Sequence, residues 1–144
     1  MHSIHLLDDD CFALRQASRH ISKLYEYHLS TVDITPTQFS ILGMLAVSAG
    51  LTMAELAKAM VMDRTTLVRA LKPLQRRGLV ATSAEGKRQR RLQIVLTVRG
   101  SKKLDDAAVH WAAAQASFER EFGAQQAAHL RSELFRMTHD TSDR

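Results

Sequence analysis

Five polar residues near the middle of the chain have the clearest potential for chemistry: Arg64, Thr65, Thr66, Arg69 and Lys72. If this segment is helical, they lie on neighbouring turns. An arginine can donate two hydrogen bonds to the edge of a guanine, and a threonine offers a hydroxyl and a methyl group to bases in the major groove. The pattern predicts a helix that contacts DNA bases. The alternative is that the threonines merely fill the first helical turn.

A second group of cations lies between two apolar segments, residues 79–82 and 92–96, which predict the strands of a β-hairpin. The turn between them carries four basic side chains, Lys87, Arg88, Arg90 and Arg91. A narrow minor groove concentrates negative potential and attracts inserted arginines. We therefore predict that the hairpin tip contacts DNA. The alternatives are a solubilising loop, or an ion pair between one of these cations and Glu85.

The distribution of charge agrees with a central element that binds a polyanion. The net charge is +5, but residues 58–103 hold 13 of the 20 Lys and Arg and two of the 15 Asp and Glu, so this segment carries +11 and the remainder −6. A basic patch within an acidic scaffold is the usual electrostatic footprint of a nucleic-acid-binding protein. A solvated charged face is the alternative.

The composition favours one helix-rich globular domain, since 45% of the 144 residues are hydrophobic and there are six Gly and two Pro. No apolar run approaches the roughly 18 residues of a membrane span, the N-terminus lacks a signal-peptide pattern, and Cys11 is the single cysteine. We expect a cytoplasmic protein with no membrane partner.

Catalysis and metal binding have little support in the sequence. No nucleophile motif or glycine-rich phosphate loop occurs. The histidines lack tight ligand spacing with cysteine or carboxylate; they include His2, His5, His110, His129 and His139. We expect no enzymatic activity, no cofactor and no metal.

Local start signals predict how the central residues are positioned. Thr52 and Glu55 form a capping box for a short helix, and Asp63 can cap the helix that begins at Arg64. Two short helices joined by a tight turn, the second of them basic, are typical of a helix-turn-helix motif. The N-terminus of the helix capped by Thr52 could also hold a DNA phosphate.

Apolar residues recur at alternating steps of four and three in the predicted first helix and in the last two helices. The C-terminal stripe contains Trp111, Phe118, Phe122, Leu130 and Leu134. This exceeds what a small winged helix needs, and it predicts a dimerisation surface; completion of the monomer core is the alternative.

The predicted fold is mainly α with a small β-hairpin wing: a winged helix-turn-helix with N- and C-terminal dimerisation helices. One domain spans residues 1–144. Within it, residues 1–33 and 101–138 form the dimerisation helices, and residues 35–99 form the winged helix-turn-helix lobe.

Segment Asp63–Val80, the basic hairpin and segment Ile94–Gly100 together resemble the MarR (multiple antibiotic resistance regulator) family of winged-helix regulators. The resemblance implies a homodimer that binds two half-sites of a pseudo-palindromic operator, with Arg90 entering the minor groove. Arg88 stands where the family usually has an aspartate that orients this arginine.

The resemblance also implies a small aromatic or phenolic effector, bound between the dimerisation helices and the DNA-binding lobe. The candidate lining residues are Tyr25, Tyr27, His28, Phe39 and Met44. Ordinary packing is the alternative interpretation for each of them.

The stretch Cys11-Phe12-Ala13-Leu14, with Tyr25 further along the same helix, resembles the organic-hydroperoxide-sensing branch of the family. In that branch a cysteine near the start of the first helix is oxidised, and two tyrosines hydrogen-bond it. Tyr25 matches one tyrosine, and the position of the second is occupied by Pro36. The carboxylates of residues 8–10 would oppose formation of the thiolate that such chemistry needs. A buried structural cysteine is the alternative.

The sequence therefore predicts a sequence-specific regulator that binds double-stranded DNA, acting as an effector-responsive repressor. One alternative is a nonspecific or architectural DNA-binding protein, whose binding would depend steeply on salt. Another is a thiol-based peroxide-sensing repressor that uses Cys11. A protein–protein adaptor that uses a winged helix without DNA is a further alternative.

Overall fold

The structure, a computed structural model, describes residues 1–84 and 92–139. Within them the chain forms six α-helices and three short strands. In chain order these are α1 (Asp10–Leu29), α2 (Pro36–Ala46), β1 (Leu51–Thr52), α3 (Met53–Met60), α4 (Arg64–Arg76), β2 (Val80–Ser83), β3 (Gln93–Leu96), α5 (Val98–Phe122) and α6 (Ala124–His139). The predicted fold class, mainly helical with a small β wing, is confirmed.

Two helices begin with capping boxes, and the one at Thr52 is the box predicted above. The Thr35 hydroxyl accepts a hydrogen bond from the Gln38 amide at 3.1 Å, and the Gln38 side chain accepts one from the Thr35 amide at 3.0 Å. Thr52 and Glu55 exchange the same pair of bonds at 3.1 Å each, at the start of α3. Because these contacts satisfy amides that have no partner inside the helix, they fix where α2 and α3 begin.

A glycine closes the C-terminus of helix α4. Gly78 adopts a φ of +70°, and its amide donates to the Gln75 carbonyl at 3.0 Å, while the Leu79 amide donates to the Leu74 carbonyl at 2.9 Å. This pair of bonds is a Schellman motif, in which glycine takes the left-handed position at little steric cost. Pro73 lies inside α4, which is one continuous helix through to Arg76.

The core is built from one face of α4 together with α2, α3 and the sheet. Leu67, Leu71 and Leu74 recur at steps of four and three and are almost completely buried. They belong to a cluster with Ile41, Leu42, Leu45, Leu56, Leu79 and Ile94. Since buried residues occupy one side of α4, the opposite side faces outward.

The sheet has three antiparallel strands in the order β1-β3-β2. Leu51 lies opposite Ile94, and Val80 lies opposite Leu96. The sequence predicted the hairpin of β2 and β3 but not β1, which is two residues long and pairs with a strand far away in the chain. The predicted basic tip lies at residues 85–91, outside the described residues.

Helix α5 connects the sheet to both ends of the chain. Its residue Lys103 donates a 2.8 Å hydrogen bond to the Val32 carbonyl between α1 and α2. Further along α5, Trp111 packs against Tyr25 of α1 and Phe39 of α2. None of the described helices combines the length and the apolar character required to cross a membrane.

Candidate nucleic-acid interface

A tight left-handed turn sets α4 against α3. Val61 has φ and ψ of 52° and 49°, and its amide donates to the Lys58 carbonyl at 3.1 Å. The next amide, that of Met62, donates to the Ala57 carbonyl at 2.9 Å. These bonds close α3 with a valine in the position that glycine usually takes. α4 begins three residues later, which gives the predicted helix-turn-helix.

Asp63 caps α4 as predicted. Its carboxylate accepts a 2.7 Å hydrogen bond from the amide of Thr66. This backbone bond is the largest cause that lowers the pKa of Asp63 below its ordinary value, followed by the hydroxyl of Thr66 and, more weakly, the charge of Arg69. Asp63 is therefore ionised at neutral pH, and the Thr66 amide is occupied by the cap.

The outward face of α4 carries a shallow basic depression, lined by Arg64, Thr65, Val68, Arg69 and Lys72. Four of these residues were predicted from the sequence, and they are exposed. The fifth, Val68, was missed. The helical period contained the signal, because Val68 lies between the buried stripe of Leu67 and Leu71 and the exposed side of α4, at the edge of the outward face.

Two predicted DNA contacts have other structural partners. Thr66 does not line the basic depression, and its amide bonds Asp63. Thr52 is half-buried, and its hydroxyl accepts the hydrogen bond from Glu55 that begins α3. A phosphate at this helix N-terminus would meet the Glu55 carboxylate, so the phosphate contact of Thr52 stays a prediction. The contacts of Lys87, Arg88, Arg90 and Arg91 fall outside the described residues.

The predicted effector residues divide into two groups. The ring of Trp111 stacks on Phe39, with centroids 4.1 Å apart and planes at 13°, and meets Tyr25 edge-on at 4.4 Å. The structure thus gathers Tyr25 and Phe39 around a tryptophan that the sequence had assigned to the dimer stripe. Burial, followed by the charge of Glu119, raises the pKa of Tyr25, so its hydroxyl stays protonated at neutral pH.

The other three candidates lie apart from this aromatic cluster of Tyr25, Phe39 and Trp111. Tyr27 is 77% exposed and contacts His28 edge-on at 5.4 Å. Met44 is half-buried against the leucine core. A ligand role for any of the five residues stays a prediction.

Cys11 is exposed, as the second residue of α1. Tyr25 lies on the same helix, about 21 Å further along its axis at 1.5 Å per residue. Within one chain, therefore, the Tyr25 hydroxyl cannot hydrogen-bond the Cys11 thiol, and the peroxide-sensing hypothesis would need a tyrosine from elsewhere. It stays a prediction. Residues 1–84 and 92–139 contain no cluster of three or more potential metal-binding side chains.

Large apolar side chains remain uncovered on the terminal helices. The exposed ones include Leu14 of α1, Phe122 of α5, and Leu130, Phe135 and Met137 of α6. Trp111, Phe118 and Leu134 of the predicted dimer stripe are half-buried within the chain. The stripe therefore contributes both to the packing of the chain and to an uncovered apolar surface.

Comparison with known proteins yields matches to transcriptional regulators. Residues 32–91, which include α2, α3, α4 and β2, match the sequence model of the MarR family. A transcriptional regulator of the helix-turn-helix type, SarZ from Staphylococcus haemolyticus, is 32% identical over 90 residues. The match covers 62% of this chain and 61% of that protein, so the chain spans about three fifths of this curated relative.

Solved structures match over nearly the whole chain. The transcriptional regulator MosR from Mycobacterium tuberculosis, crystallised in complex with DNA, is 31% identical with a TM-score of 0.81, covering 94% of this chain and 98% of that one. CouR from Rhodococcus jostii, crystallised with p-coumaroyl-CoA, is 23% identical with a TM-score of 0.80, covering 96% and 98%. At 23% identity, the match with CouR shows that the two proteins share a fold.

Proposed function

The chain belongs to the MarR family of winged helix-turn-helix transcriptional regulators, and on that basis we propose that it represses transcription as a homodimer bound to a pseudo-palindromic operator. The observation that carries the proposal is the outward face of α4, where Arg64, Thr65, Arg69 and Lys72 line one basic depression. This is the arrangement by which a recognition helix reaches base edges in the major groove.

Two observations support DNA binding: the positive charge of residues 58–103 and the similarity of the chain to MosR. The segment of residues 58–103, with its net charge of +11, contains α4. MosR, whose whole chain is nearly covered by the match, was crystallised with DNA. We infer that the cations of α4 and of residues 87–91 contact the duplex, the first in the major groove and the second in the minor groove.

The uncovered apolar side chains of α1, α5 and α6 support the proposed homodimer; they include Leu14, Phe122 and Leu130. A two-fold interface would bury the same surface on both subunits and place two copies of α4 on one side of the assembly. We assign residues 1–33 and 101–138 to this interface and residues 35–99 to the DNA-binding lobe. We also propose that the protein acts in the cytoplasm.

Regulation would operate through the spacing of the two recognition helices. CouR was crystallised with p-coumaroyl-CoA, which carries a phenolic group. In this chain the aromatic cluster joins α1, α2 and α5, so a small aromatic effector there would contact both the dimer helices and the DNA-binding lobe. Such an effector acts only if it binds one helix spacing more tightly than the other.

Selection of duplexes from a random DNA library by the full-length protein tests this function. The expected consensus is an inverted repeat whose half-site centres lie about one helical turn, 10–10.5 base pairs, apart. Recovery of duplexes without a consensus would favour the nonspecific alternative and contradict the proposal. A single unrepeated half-site would contradict the homodimer.

A further inference from the structure

The basic depression contains one apolar side chain that the core does not use. We propose that Val68, together with the methyl group of Thr65, forms a notch that receives the C5-methyl group of a thymine in each operator half-site. This inference rests on the proposed function, because it specifies which base the recognition helix selects.

Val68 lies on the same face of α4 as Arg64, Thr65 and Lys72, and with them it lines the depression. It is half-buried, yet among the described residues it is absent from the half-buried apolar side chains that pack against the core, such as Met62 and Ala70. Part of its surface is therefore open to the depression.

The four bases differ in the groups that they present to Val68 in the major groove. Thymine presents a methyl group and a carbonyl oxygen in the major groove, cytosine presents an amino group without the methyl, and adenine and guanine present polar edges. A valine cannot hydrogen-bond any of these polar edges. Facing cytosine or a purine, Val68 would remove water from a polar group without replacing its hydrogen bond, which is unfavourable. A thymine methyl group has no hydrogen bond to water to lose, so its contact with Val68 carries no such cost.

The notch is surrounded by basic side chains. Arg64, Arg69 and Lys72 can donate hydrogen bonds to guanine edges and to phosphates. Thr65 is exposed and lies three residues before Val68, so the two side chains are adjacent on the helix. Two methyl-bearing side chains within a basic rim favour a half-site in which a thymine is flanked by guanines or by contacted phosphates.

The notch would recognise a methyl group and not the rest of the base. Its contribution to binding can therefore be measured separately from the hydrogen bonds to the base edge. Uracil is thymine without this methyl, and 5-methylcytosine is cytosine with it. Each pair therefore changes the methyl group alone. Burial of one methyl group corresponds to roughly a fourfold change in affinity, and the two half-sites together to about the square of that factor.

The experiment is a methyl scan of the selected operator by fluorescence anisotropy. Each thymine is replaced by uracil, one symmetric pair of positions at a time. At one pair the wild-type protein should lose about fifteenfold in affinity, which is roughly fourfold for each half-site. Placing cytosine and 5-methylcytosine at this pair should give a difference of similar size in favour of the methylated duplex.

Three variants assign the effect. Val68→Ala should bind thymine and uracil duplexes within about twofold of each other, and Thr65→Ser, which retains the hydroxyl, should reduce the discrimination. Val47→Ala makes the same change at a valine that follows α2 and is 85% exposed, and it should discriminate as the wild type does. Thermal unfolding of each variant checks that it is folded.

Two results would overturn the inference while leaving the proposed function intact: an operator in which no uracil substitution weakens binding beyond about twofold, or a uracil effect that persists unchanged in Val68→Ala. Failure of the wild-type protein to select any operator would instead contradict the proposed function itself.

Discussion

The side-chain hydroxyl of Thr97 donates a 2.6 Å hydrogen bond to the backbone carbonyl of Gly78. Gly78 is the residue at which α4 ends, and Thr97 caps α5, accepting a 2.9 Å bond from the amide of Gly100. One hydroxyl therefore joins the end of the DNA-binding helix to the start of the long helix that leads to the proposed dimer interface. This bond therefore links the positions of the two helices.

Replacement of Thr97 by valine removes both hydrogen bonds and keeps the shape of the side chain. We expect a loss of about 2 kcal/mol in the free energy of unfolding, from the helix cap together with one further hydrogen bond. Thr97→Ser retains the hydroxyl and should lose less than half of this. Urea unfolding followed by circular dichroism measures both, and equal losses in the two variants would contradict the role of the hydroxyl.

Gly100 and Gly43 form a matched pair for the same substitution. A Cβ at Gly100 would lie 2.0 Å from the backbone carbonyl oxygen of Leu79, whereas a Cβ at Gly43 would meet no atom within 4 Å. Gly100→Ala should destabilise the protein by about 3 kcal/mol or more. Gly43→Ala, in the interior of α2, should stabilise it by roughly 0.5–1 kcal/mol. Thermal unfolding should move the two midpoints in opposite directions; a Gly100→Ala variant as stable as the wild type would contradict the close approach of α5 to Leu79.

Val61 holds a left-handed conformation, with φ at 52°, in the turn between α3 and α4. This conformation costs a branched residue about 1–2 kcal/mol. Val61→Gly should therefore raise the free energy of unfolding by about 1 kcal/mol. The control is Val47→Gly, since Val47 also follows a helix and is exposed but has a φ of −95°. Glycine there should be neutral or destabilising, and stabilisation by both changes would contradict the assigned strain.

Arg64 and Lys72 lie at opposite ends of the basic depression and should contribute differently to DNA binding. Arg64 is the first residue of α4, at the end that points at bases in a recognition helix. Arg64→Ala should cost about 1–3 kcal/mol and relax the preference at one base pair. Lys72→Ala should weaken all duplexes alike and lower the slope of log affinity against log salt by about 1. Identical profiles for the two variants would contradict this division.

Much of the local structure follows from neighbouring residues and could be predicted. The boxes of Thr35 with Gln38 and of Thr52 with Glu55 each lie within one helical turn, so the sequence alone displays them. The glycine after α4 and the outward position of Val68 are also local, although the second was overlooked. These features depend on helical periodicity and on φ preferences, which need no knowledge of the tertiary fold.

What the sequence does not reveal depends on contacts between distant segments. The pairing of Leu51 with Ile94 joins residues far apart in the chain, in a strand too short to carry a pattern. The approach of Gly100 to the Leu79 carbonyl depends on how the start of α5 packs against the residue that precedes β2. Likewise Trp111 has the spacing of a dimer stripe, and only the fold shows that Tyr25 and Phe39 surround it.

Fluorescence anisotropy at near-physiological salt tests whether the basic depression recognises a specific operator. The operator recovered by selection is compared with a scrambled duplex of equal length, for the wild-type protein and for the double variant Arg64→Ala, Arg69→Ala. We expect the wild-type protein to prefer the operator by roughly 10³-fold or more, and the variant to lose most of this preference. Equal, salt-sensitive binding of both duplexes by the wild-type protein would contradict specific recognition.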